Sequence, residues 1–112
     1  MESKRQQKIS RLIQKDIGEI LQRESISFSK GAMITVTKVH VTRDFSLAKV
    51  FLSIFAAKDK QDIINHVNSQ KKEIRYKLGT LVKDQLRKVP DLEFYEDDSL
   101  DYIENIENLL NE

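Results

Sequence analysis

Cysteine is absent from the 112 residues, proline occurs once and glycine three times. Without cysteine there is no disulfide, no thiolate nucleophile and no Cys-rich zinc site, which suits a reducing compartment. No apolar run approaches the ~20 residues needed to cross a bilayer, and the opening "MESKRQQKIS" lacks the apolar core of a signal peptide. A soluble, cytoplasmic protein with no membrane association is expected. Internal repeats and low-complexity stretches are also missing, and the length suits one domain that buries roughly two thirds of its extended surface.

Catalytic equipment is equally scarce. The chain has no phosphate-binding P-loop, no G-x-S-x-G elbow and no dinucleotide fingerprint. His40 and His66 have no metal-ligand spacing and read as ordinary surface or half-buried histidines. The carboxylates near the C-terminus lack an acid or base partner, and such a run is usually a solvated face. No catalytic residue, no metal site and no cofactor is expected.

Charge is what the chain does have. The net value of +1 hides two unlike regions: residues 1–90 hold all 19 Lys and Arg against 9 acids, whereas residues 91–112 hold 9 acids and no base. This asymmetry signals a polyanion partner and an acidic tail, with a merely solvated surface as the bland alternative.

Apolar periodicity organises the rest. Ile9, Leu12, Ile13, Ile17, Ile20 and Leu21 predict a helix from Lys4 to about Glu24, and Ser25 to Gly31 read as the connection out of it. "MITVTKVHVT" is dense in β-branched residues and predicts a strand. Its alternation changes phase midway, so a bulge near Thr37 and Lys38 is needed to keep Ile34, Val36, Val39 and Val41 on one buried face. After the turn "RDFS", the strand "LAKVFLSIF" puts Ala48, Val50, Leu52 and Ile54 on one side, completing an antiparallel hairpin. Phe51 and Phe55 fall on its other side, covered by another element or left as a stacking surface.

A short helix is predicted from Lys58 to Ser69, with a linker near Asn68, then a longer helix from Glu73 to Pro90, where proline ends it. "DLEFYED" alternates as a third strand. Leu100, Ile103, Ile106 and Leu110 give an acidic final helix over 98–112, packed by its apolar face or lying across the cationic surface. The fold class is therefore α+β, one small sheet with helices on its apolar face.

Two helices carry bases opposite their apolar arcs. Lys4, Lys8, Arg11 and Lys15 recur at i, i+4, i+7 and i+11, and Lys72, Arg75, Lys83 and Arg87 form a second stripe that also contains Tyr76 and Gly79. Bases so spaced follow phosphates, although either stripe alone also fits a solvated helix face. Glycine in an exposed helix interior costs about 1 kcal/mol relative to alanine, so Gly79 suggests close approach by another backbone.

Three elements, I-R-x-x-L-G at Ile74 to Gly79, R-x-x-P-x-L-x-F at Arg87 to Phe94 and D-x-S at Asp97 to Ser99, lie in the order and spacing of ribosome-binding factor A. With "IGEILQRE" and "ITVTKVHVTRDFSLAKVFLSIF" upstream, the chain resembles that family over nearly its whole length. The resemblance implies a type II KH-like fold, α-β-β-α-α-β with an additional C-terminal helix, as a single RNA-binding domain over 1–112. Where the family has an Ala-x-Gly kink between two helices, this chain has Gln70, Lys71 and Lys72.

The implied function is that of an assembly and maturation factor for the small ribosomal subunit. Such a factor binds the free or immature subunit near its decoding region, promotes processing at the rRNA 5′ end and supports growth in the cold. It implies no catalysis, and it allows an assembly GTPase as a further partner of a monomer. On charge and facing, the RNA-binding candidates are Lys71, Lys72, Arg75, Lys77, Lys83, Arg87 and Lys88, with Lys4, Lys8, Arg11 and Lys15 as a second patch. The rival readings are a non-enzymatic protein-interaction adaptor working through the acidic C-terminal helix, and a hydrolase with an unrecognised site.

Overall fold

The computed structural model describes residues 3–23, 33–55 and 59–97. The expected connection at 25–31 and the final helix at 98–112, with the adaptor role assigned to it, lie outside the described residues. The elements run α1 (Lys4–Arg23), β1 (Met33–Val41), β2 (Leu47–Phe55), α2 (Lys60–Ser69), α3 (Lys71–Val82) and β3 (Asp91–Glu96).

Helix α1 starts in a reciprocal cap. Ser3 Oγ accepts from the Gln6 backbone N–H at 3.1 Å, and Gln6 Oε1 accepts from the Ser3 N–H at 2.9 Å. This capping box satisfies two donors that the first helical turn leaves open. The Gln6 amide also donates to Val41 O at 3.0 Å, so the start of α1 is tied to the end of β1.

β1 and β2 pair antiparallel, Met33 opposite Phe55 and Val41 opposite Ala48, with a register shift between Val36 and Lys38. Thr37 is the extra residue, and the bulge brings Val36, Val39 and Val41 to one buried face as the alternation required. The Thr37 hydroxyl donates to Asp97 Oδ2 at 2.6 Å, a link from β1 across β2 to the end of β3. In the hairpin turn, Phe45 adopts φ 60°, an uncommon left-handed conformation for an aromatic residue. Asp44 Oδ1 holds that turn by accepting from Thr42 Oγ1, Ser46 Oγ and the Ser46 N–H. The Arg5 guanidinium lies 5.2 Å from the centre of the Phe45 ring.

β3 pairs parallel to β2, from Leu47 opposite Asp91 to Leu52 opposite Glu96, which makes β2 the central strand. A parallel neighbour needs a long crossover, and α2 with α3 supplies it. Ala48, Val50 and Leu52 of β2, Leu92 and Phe94 of β3, and the apolar arcs of all three helices form one buried cluster. The helices therefore share one face of the sheet. On the other face Phe51 is half-buried and stacks on Tyr95, ring centres 5.6 Å apart, so this phenylalanine is partly covered by its neighbouring strand. The Tyr95 hydroxyl donates to Glu93, which raises the phenol's pKa.

The segment near Asn68 is not a linker. Asn68 belongs to the last turn of α2, where its amide donates to Phe94 O and accepts from Phe94 N–H, both at 3.0 Å. It thus pairs part of the free rim of β3, the role another strand would otherwise fill. The single residue Gln70 separates α2 from α3, with φ −102° and ψ 8°. That geometry is open to any L-residue, so the helices break here without the family's glycine.

The second expectation the structure corrects is the extent of α3, which ends at Val82 rather than running to Pro90. Beyond Lys83 the backbone turns, with Gln85 N–H and Leu86 N–H both donating to Val82 O. Leu86 and Val89 keep helical spacing in sequence but pack on the core from a connector that doubles back toward β3. Val89 Cγ2 would lie 3.5 Å from a Cβ at Gly79, ordinary van der Waals contact. Among the described residues, the neighbour of Gly79 is thus a connector side chain and not another backbone.

Candidate nucleic-acid interface

On α1 the buried arc is Ile9, Ile13, Ile17, Ile20 and Leu21. Lys4, Lys8, Arg11 and Lys15 are all exposed on the opposite side. Successive residues turn by about 100°, which places these four bases within one narrow stripe along the helix. Their spacing comes from the same periodicity that built the core arc, so burying the isoleucines is enough to display the bases.

On α3 the buried residues are Ile74, Leu78 and Val82. Lys71, Lys72, Tyr76, Thr80 and Lys83 are exposed. Lys71 and Lys72 occupy the first turn and share with Arg75 a cleft of about 300 Å³, whose opposite wall is Leu47, Asp91, Leu92 and Glu93. Lys83 is the C-cap of the helix.

Arg75 is committed to the fold. Its Nη2 donates to Val89 O at 2.7 Å, its Nε donates to Pro90 O at 3.2 Å and lies 3.4 Å from Asp91 Oδ1. The guanidinium therefore latches the returning connector onto α3, and its planar fork suits two adjacent carbonyls in a way a lysine would not. Lys77 pairs with Glu73 one turn earlier at 3.5 Å. Arg87 and Lys88 are exposed on the connector and not on the helical stripe, because α3 has already ended. The structure thus gathers Lys71, Lys72 and Arg75 at one end of α3, places Lys83 at the other, and sets Arg87 and Lys88 beyond it.

His40 lies on β1 and His66 on α2. Among the described residues, no group of three or more His, Cys, Asp or Glu is placed to hold a metal ion. No helix among them is long and apolar enough to cross a membrane. What the surface offers chemically is positive charge on two packed helices, a footprint fitted to a phosphate polymer.

Residues 5–110 match the sequence profile of a family described as ribosome-binding factor A. The ribosome-binding factor A of Christiangramia forsetii is 45% identical over 107 residues, which is 95% of this chain and 82% of that protein. The crystal structure of ribosome-binding factor A from Thermus thermophilus superposes with a TM-score of 0.70 at 18% identity, covering 81% of this chain and 94% of that one. A homology model of Thermus thermophilus ribosome-binding factor A, fitted into the cryo-electron-microscopy map of a 30S–RbfA complex, gives 0.62 at 19% identity over 78% of this chain and 89% of its own. The structural likeness confirms the α+β, KH-like fold, and the sequence match shows that this chain belongs to the ribosome-binding factor A family.

Proposed function

We propose that this protein binds the free or immature small ribosomal subunit through its rRNA and assists maturation of the subunit, including processing at the RNA's 5′ end. It performs no chemistry itself. The observation that carries this reading is the pair of solvent-facing cationic stripes, on α1 and on the α3 side, in a chain of this family. The Thermus thermophilus relative fitted into a 30S complex supports the small subunit as partner. In this reading Lys71, Lys72 and Lys83 of the α3 side and Lys4, Lys8, Arg11 and Lys15 of α1 meet phosphates. Arg87 and Lys88 extend the interface along the connector, Lys77 contributes from the flank, and Arg75 holds the surface in shape while facing the same cleft.

The test is co-sedimentation with purified small subunits over a range of salt. Removing one lysine–phosphate pairing should lower the slope of log affinity against log salt by somewhat less than one. Lys71→Ala/Lys72→Ala/Lys83→Ala should therefore bind more weakly and flatten the slope by about two to three units if all three lysines reach phosphates. Binding as tight and as salt-sensitive as that of the unaltered protein would refute the proposal. Arg75→Ala is the wrong probe, because it also releases the connector.

A further inference from the structure

Tyr76 sits at the middle of the outer face of α3 with its surface 75% exposed, more than any other large apolar or aromatic residue among those described. The core arc of α3 is complete without it. Helical spacing sets Lys72 one turn before it, Thr80 one turn after and Lys83 two turns after. Among the described residues, its ring makes no stacking or cation–π contact, whereas Phe51 and Tyr95 stack on each other and Phe45 lies under Arg5.

A bare aromatic ring between lysines fits one class of ligand better than another. An apolar protein partner would be expected to meet further exposed apolar groups around the ring, yet its neighbours along the helix face are Lys72, Glu73, Gly79 and Thr80, with Lys83 two turns on, and the one acid among them is paired with Lys77. A single-stranded nucleic acid presents what this face complements, phosphates for the lysines and a base plane for the phenol. Stacking needs only the π-face of the base, so the interaction would tolerate many sequences.

We infer that Tyr76 is a stacking platform for an unpaired base of the bound RNA, with Lys72 and Lys83 holding the flanking phosphates. The inference deepens the RNA-binding reading and rests on it. It also implies a preference for single-stranded RNA over duplex, whose bases are already stacked on one another.

The experiment compares the unaltered protein, Tyr76→Ala, Tyr76→Phe and Lys72→Ala/Lys83→Ala. The probes are a short single-stranded oligoribonucleotide and the same strand annealed to its complement. Loss of one base stack corresponds to a rise in Kd of roughly 5- to 150-fold. Tyr76→Ala should weaken single-strand binding within that range while leaving the salt slope unchanged, and should barely alter duplex binding. Tyr76→Phe should bind almost like the unaltered protein. The lysine variant should flatten the salt slope on both probes.

If Tyr76→Ala binds the single strand normally while the lysine variant weakens, the stack is refuted and the cationic face stands. Equal weakening of single strand and duplex by Tyr76→Ala would also refute it, since the ring would then act on shape alone. If the lysine variant leaves both probes untouched, the RNA-binding reading of α3 fails first and carries this inference with it. Circular dichroism on each variant excludes misfolding, which the exposure of all three side chains makes unexpected.

Discussion

At the scale of single residues, one carboxylate works against the fold. Asp16 is buried on α1, and desolvation raises its pKa, with repulsion from Glu19 adding and Lys15 opposing. A raised folded pKa means that the native state holds this proton longer than the unfolded chain does. The contribution of Asp16 to stability is thus most favourable below the unfolded value of 3.8 and declines as pH climbs through the window up to the folded value. Asp16→Asn should raise the urea midpoint at pH 7, with the gain shrinking as pH drops below that window, and an unchanged pH profile would contradict the assignment. Asp44 behaves oppositely: bonds from Ser46 and Thr42 lower its pKa, so its support is present above 3.8 and fades as pH falls through the lower folded value. Neither effect was legible in sequence. Asp16 sits among residues of helical spacing as any surface acid would, and the partners of Asp44 depend on how the turn closes.

At the scale of elements, local pattern was a faithful guide wherever an element's own periodicity decides its place. The isoleucines of α1 and the phase change in β1 each have one packing solution, so the first helix and the bulge at Thr37 followed from spacing alone. The end of α3 did not, because Leu86 and Val89 satisfy helical spacing and the connector's packing equally well. What decides between them is Arg75 gripping the Val89 and Pro90 carbonyls, groups that become its neighbours only after the chain turns back. The exposure of the candidate bases was legible to the same degree: Lys4, Lys8, Arg11, Lys15, Lys71 and Lys72 face solvent as expected, whereas Arg75 is drawn onto the connector and Arg87 left the stripe with the helix. Helix α1 can also be improved. A Cβ at Gly18 would meet nothing within 4 Å, so Gly18→Ala should stabilise the protein by about 1 kcal/mol in urea unfolding, the helix-propensity difference. A loss of stability there would show that the position serves something beyond the helix.

At the scale of the whole molecule, α3 and the sheet are joined by very little chain. Asn68 bonds both backbone groups of Phe94, and only Gln70 lies between its helix and α3. Asn68→Ala should cost about 1–3 kcal/mol, the sum of two hydrogen bonds whose partners lose their match. A urea midpoint indistinguishable from that of the unaltered protein would mean that water replaces the amide without loss. Because a one-residue joint stores little slack, a ligand held by α3 in the proposed manner would pass tension to the sheet's rim. The molecule then behaves as a stiff bracket, and on the proposed function the amide protons of β3, which lines the same cleft as Lys71 and Lys72, are where slowed exchange on subunit binding should first be felt.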